Sequence, residues 1–158
     1  MVNATKPTEK ERGQALIEFA FIVPFLLALL LLILDFGVAI DRRQVIQHAV
    51  REGARQGAIG AGEAQIRTIV SEQSQGVLEP NNVDVPIVCY VDSDGDPTSN
   101  PTAGSSVRVG ASYDYQLFFG VELLDWFGVT DDDDFTITLD PDAEARMETS
   151  LAGVTPCP

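Results

Sequence analysis

The sequence predicts an α+β chain: a long N-terminal transmembrane helix extending into a second amphipathic helix packed on a small three-stranded antiparallel sheet. Three observations predict it. From Ala15 to Ile40 only Glu18 and Asp35 can ionise, and these 26 residues span about 39 Å as a helix, enough to cross a bilayer with some tilt. From Arg42 to Gln75 helix formers dominate, broken only at Gly60-Ala61-Gly62. From Val83 onward apolar residues alternate with polar ones, which marks strands with one buried and one wet face.

The elements follow in order. Residues 1–13 are short, polar and of mixed charge, and Pro7 opposes helix. Residues 14–41 form the membrane helix. Pro24 lies inside it, which membrane helices tolerate, and Gly37 lies near its far end beside Asp35. A cleaved secretory signal fits poorly, because the apolar run is too long and ends in Asp41-Arg42-Arg43 rather than a small-residue cleavage site. Residues 42–76 form a helical segment outside the membrane. Ala49, Gly53 and Gly57 are spaced four apart and share a face. Small residues at that spacing admit another helix at close range; alternatively the helix lies on its own domain, with glycines where the sheet approaches. Glu63 to Gln75 is the second helix, with Ile66, Ile69 and Val70 on one side and Gly76 as C-cap.

Residues 77–158 form the small acidic β domain. Its strands are Val83 to Val91, Val107 to Leu117, and Phe135 to Met147, the last interrupted by Pro141, which argues for an edge or a bulge there. Three antiparallel strands need a cover for their apolar face, and the two helices are the candidates. Turn chemistry marks Asp92 to Gly104 and Thr130 to Asp134. Leu117 to Phe127 is a dense apolar and aromatic stretch, either a short helix capping the core or a surface that meets a partner or the membrane interface.

Charge is unevenly spread. The chain carries a net charge of -14, yet residues 61–158 hold eighteen of the 24 acidic residues against three arginines. Such a domain is repelled by nucleic acid and by anionic headgroups. Cys89 and Cys157 both follow the membrane segment. They are expected to form a disulfide tethering the C-terminal tail, with two separate buried thiols as the alternative. Basic residues flank the apolar run on both sides, so the positive-inside rule does not decide orientation. The cysteines and the acidic domain favour a cytoplasmic N-terminus and an extracytoplasmic C-terminal domain.

Gly13-Gln14-Ala15-Leu16-Ile17-Glu18-Phe19 resembles the prepilin cleavage site of type IV pilins. Together with Pro24, Leu34-Asp35-Phe36-Gly37 and Ala49-Val50-Arg51-Glu52-Gly53-Ala54-Arg55, it is similar to the TadE-like family of tight-adherence (Tad/Flp) pilus systems, specifically over about residues 12–58. The resemblance implies a pilin-like, bitopic, non-catalytic protein needed for pilus assembly as a minor pilin or pseudopilin. It implies cleavage between Gly13 and Gln14 by a membrane prepilin peptidase, which makes residues 1–13 a cytoplasmic leader and Glu18 the fifth residue of the mature chain. Its expected partners are other pilin-like subunits met through the N-terminal helix, that peptidase, and the inner-membrane assembly machinery.

The physics of the residues agrees with that expectation. A carboxylate in lipid costs roughly 2.5–3.5 kcal/mol on insertion scales, so Glu18 calls for a partner, and the new amine of Gln14 on a neighbouring subunit is one. Asp35 is the second candidate for register, by bonding a neighbouring helix, pairing with Arg42 or Arg43, or resting at the headgroups. Asp92, Asp94 and Asp96 resemble the opening of a calcium loop, but Pro97 and Ala103 depart from the pattern, so no cofactor is expected beyond loosely held calcium. The single His48 has no nucleophile beside it, and phosphate-loop and zinc spacings are missing, so no enzyme is expected. The rival readings are an uncleaved membrane-anchored assembly factor and a cation-dependent surface adhesin.

Overall fold

The computed structural model describes residues 9–74, 83–117, 128 and 136–158. The elements are α1 (Glu9–Ala58), α2 (Glu63–Ser74), β1 (Val83–Val91), β2 (Ser106–Gln116), β3 (Thr136–Leu139) and β4 (Asp142–Arg146). The chain divides into two compact units. One contains α1 up to Gly37; the other contains residues 38–116 and 136–158.

In the first unit α1 runs unbroken through Pro24. Its side chains are bulky and bare: Phe21 and Phe25 are each 79 % exposed, and Leu16, Phe19 and Leu26 more than half. A helix this long and apolar, with none of its most hydrophobic window covered by protein, fits a single-pass membrane anchor. Asp35 breaks the pattern. It is 2 % exposed and interacts with other groups of the chain.

In the second unit the remainder of α1 and α2 cover one face of an antiparallel sheet. Ile46, Ala49, Val50, Ala54 and Ala58 of α1 meet Ile66 and Val70 of α2 and Val88, Tyr90, Val107 and Val109 of the sheet in one core. Helix α1 stops where glycine permits it. Gly60 takes a φ of 101°, its N–H donates to the Gly57 carbonyl, and the Ala61 N–H donates to the Gln56 carbonyl. This reciprocal pattern satisfies the last carbonyls of the helix and turns the chain into α2.

The sheet has four strands, which corrects the expectation of three. The predicted third strand is cut into β3 and β4, and both pair with β2 on the side away from β1. The register is continuous across the cut: Tyr113 faces Leu139 before it and Gly110 faces Asp142 after it. Pro141 supplies the physical reason, since it has no N–H for the ladder. Its carbonyl still accepts from the Ala111 N–H at 3.1 Å, so the edge bends without slipping. At the opposite edge β1 shifts register between Asp84 and Ile87, the span that contains Pro86.

The C-terminal tail closes the β1 edge. The Tyr90 N–H donates to the Thr155 carbonyl at 3.0 Å, and the Cys157 N–H donates to the Tyr90 carbonyl at 3.2 Å. Beside this bridge Cys89 and Cys157 are disulfide-bonded, 68 residues apart in sequence. Closing a loop of that length contributes about 4 kcal/mol in the chain-entropy picture. The apolar stretch 118–127, the acidic run 131–134 and the Gly76 cap lie outside the described residues.

Candidate assembly interface

The head of α1 presents the residues singled out for processing and register. Gly13, Gln14 and Glu18 are all exposed. The Gln14 side-chain amide donates to Glu18 Oε1 at 3.4 Å, one turn away. The two therefore lie on one side of the helix, and the carboxylate is held beside the residue that follows Gly13. A β-carbon built at Gly13 or Gly37 meets nothing within 4 Å.

The small-residue stripe faces its own domain. A β-carbon at Gly53 would lie 2.7 Å from Val70 Cγ2 and 3.3 Å from Ile66 Cγ2; one at Gly57 would lie 2.9 Å from Ile66 Cδ1 and 3.2 Å from both Val107 methyls. Ala49 is fully buried in the same core. Of the two readings of Ala49, Gly53 and Gly57, the structure adopts the intramolecular one. The glycines let α2 and β2 approach α1, and a second molecule does not reach them.

The calcium-loop residues close on themselves. Asp92 Oδ1 accepts from the N–H groups of Asp94 and Asp96, both at 2.9 Å, and Gly95 takes a φ of 91°. One oxygen of that carboxylate anchors the turn. Among the described residues no three His, Cys, Asp or Glu side chains come together as a metal ion requires. His48 lies exposed on α1, near Arg51, Glu52 and Arg55 rather than near a nucleophile.

Two features escaped the sequence. One is electrostatic. Glu52 accepts from Arg55 at 2.6 and 2.9 Å and from Gln56 at 2.9 Å, and these bonds lower its pKa to about 2. They belong to a polar ridge of exposed Asp41, Gln44, His48, Arg51 and Arg55. Its three-and-four spacing is visible in the chain once the buried face is known. The other is Tyr90, fully buried, whose hydroxyl has no hydrogen-bond partner among the described residues. Burial raises its pKa above 10, and the nearby charge of Glu63 adds to this. The alternation of Val83, Val85, Ile87, Cys89 and Val91 puts Tyr90 on the wet face of β1; the main core instead takes in Val88 and Tyr90, and Ile87 is 45 % exposed.

The anchor, the domain it carries and the exposed carboxylate near its head define a class: a membrane-anchored α+β protein of pilin-like organisation. Residues 13–55 match the model of the TadE-like protein family. The match covers the anchor and most of the α1 extension and stops before the sheet. No curated protein and no solved structure matches the chain.

Proposed function

We propose that this chain is a non-catalytic minor pilin or pseudopilin of a Tad/Flp-type pilus, cut after Gly13 by a prepilin peptidase. One observation carries the reading. The family match over residues 13–55 opens on a Gly13–Gln14 junction, with Glu18 one turn on, at the head of a helix whose apolar window is bare. Cleavage leaves a positive amine on Gln14 and a negative Glu18 five residues into the mature chain. In a bundle of such helices the amine of one subunit meets the carboxylate of the next. The pairing offsets the cost of either charge in lipid and fixes axial register.

The disulfide supports an extracytoplasmic domain, because such bonds persist in oxidising compartments. The leader then stays in the cytoplasm, within reach of an inner-membrane peptidase and the assembly machinery. The test replaces Glu18 by alanine in cells that build the pilus. The expected outcome is a chain still processed at Gly13 but missing from sheared fibres. Normal incorporation of Glu18→Ala would refute the register role.

A further inference from the structure

Glu18 is bonded within its own helix before any neighbour is considered. Its Oε1 accepts from the Gln14 side-chain amide at 3.4 Å, and both residues are exposed. Glu18 forms no salt bridge among the described residues, and its Oε2 takes no hydrogen bond from them. In a chain cut after Gly13, the residue that Glu18 holds is also the residue whose amine is set free.

That amine has a chemistry particular to glutamine. The free nitrogen of an N-terminal glutamine attacks its own side-chain Cδ. A new C–N bond closes a five-membered lactam, and the Cδ–Nε2 bond breaks. The proton shed by the amine goes to the departing nitrogen, which leaves as ammonia. Nothing is oxidised or reduced, and no co-reactant is consumed. Both reacting groups sit in one residue, so the step needs only the approach of the nitrogen to Cδ, to about 3–3.5 Å in a near-attack geometry. The product, pyroglutamate, carries no charge. It would leave a neighbour's Glu18 without its cation at the head of an apolar helix.

The bond to Glu18 opposes that approach. It draws the carboxamide along the helix toward the following turn, whereas closure needs the carboxamide folded back on the Gln14 nitrogen. Oε2 stays available to the amine of an adjacent subunit. We propose that Glu18 is a positioning residue that keeps the mature N-terminus open: by holding the Gln14 carboxamide it slows closure to pyroglutamate, so that the amine survives until the subunit is packed. The inference rests on the reading of the chain as cut after Gly13.

The test frees the amine at a known moment. Residues 14–158 are fused to a carrier whose protease leaves nothing ahead of Gln14, so the prepilin peptidase is not involved. The freed chain is held in detergent micelles at pH about 9.5, where an α-amine is largely neutral and protonation does not set the rate. Loss of ammonia is followed by intact mass. Glu18→Ala is expected to close about twofold faster than wild type, the weight of one such side-chain pair on a helix. Glu18→Gln, whose carbonyl oxygen still accepts the bond, is expected to stay with wild type. Circular dichroism checks that the three chains are equally helical, which assigns a rate difference to the side chain rather than to fraying. Equal rates in wild type and Glu18→Ala, slower closure in Glu18→Ala, or a Glu18→Gln as fast as Glu18→Ala would each overturn the proposal. So would a native chain already closed to the lactam in pilus-bearing cells. A native chain beginning at Met1, with the rates as expected, removes the processing reading and keeps the protection. A native chain beginning at an open Gln14, with equal rates, does the reverse.

Discussion

From Leu16 to Ile40 helix α1 presents phenylalanine, leucine and isoleucine to its surroundings, whereas from Ile46 to Ala58 it presents alanine, glycine and short aliphatics to a packed core. One continuous helix thus obeys two solvents. The first part carries large exposed apolar side chains, which call for lipid or other helices. The second has side chains too small to cover anything, and α2 and β2 come in to meet them. Glycine shows the difference at single positions. Gly37 has open space where Gly53 has Val70 at 2.7 Å. The glycine stripe is thus occupied by the chain's own α2 and β2.

The comparison can be broken by substitution. The largest effect is expected within the covered unit, from Cys89→Ser/Cys157→Ser. Loss of the 68-residue closure should lower stability by about 4 kcal/mol, read as an earlier denaturant midpoint, while the anchor stays helical. Next comes Gly53→Val, which forces a β-branched side chain against Val70 and Ile66 and should cost about 1–3 kcal/mol. Gly37→Val should stay within about 0.5 kcal/mol on the same denaturation curve. Equal losses at the two glycines would erase the distinction between the parts of α1.

Smaller effects sharpen the picture of the core. Tyr90→Phe removes a buried hydroxyl that has no partner among the described residues, so stability should be unchanged or rise by up to about 1 kcal/mol. The phenol's raised pKa means the fold favours its neutral form. Wild type should lose stability as pH climbs past 10, and Tyr90→Phe should lose less. The smallest effect lies at the acid end. Glu52 and Glu144 are held below their ordinary 4.5, Glu52 at about 2 by Arg55 and Gln56, Glu144 by Ser106 and Arg108. Their contribution is present above pH 4.5 and is lost as pH falls through the folded-state values. Thermal midpoints between pH 5 and 2 should therefore drop, and Glu52→Gln should flatten part of that drop.

Much of this was legible in the chain because the signals are local. The alternation of Val107, Val109 and Ala111 with Arg108 and Ser112 fixed which face of β2 is buried. Pro141 marked the break in the third strand, though not that the register would resume on its far side. With only two cysteines, the pairing of Cys89 with Cys157 had one form. What stayed hidden depends on which surfaces meet. The spacing of Ala49, Gly53 and Gly57 suits another molecule and the chain's own sheet equally well, and only the fold assigns it. The placing of Asp84 and Asp142 on one face needed the strand register. The Asp92 turn itself, with Asp92 Oδ1 bonded by the N–H groups of Asp94 and Asp96, needed the backbone geometry to be seen.

The central claim is that the helix begins its working life at a new amine, one turn from a carboxylate. The intact mass and N-terminal residue of the native protein, purified from pilus-bearing cells, test it directly. The mature chain should begin at Gln14, with Met1 through Gly13 removed. A native chain still beginning at Met1 would contradict the claim and make the protein an uncut anchor of the assembly machine.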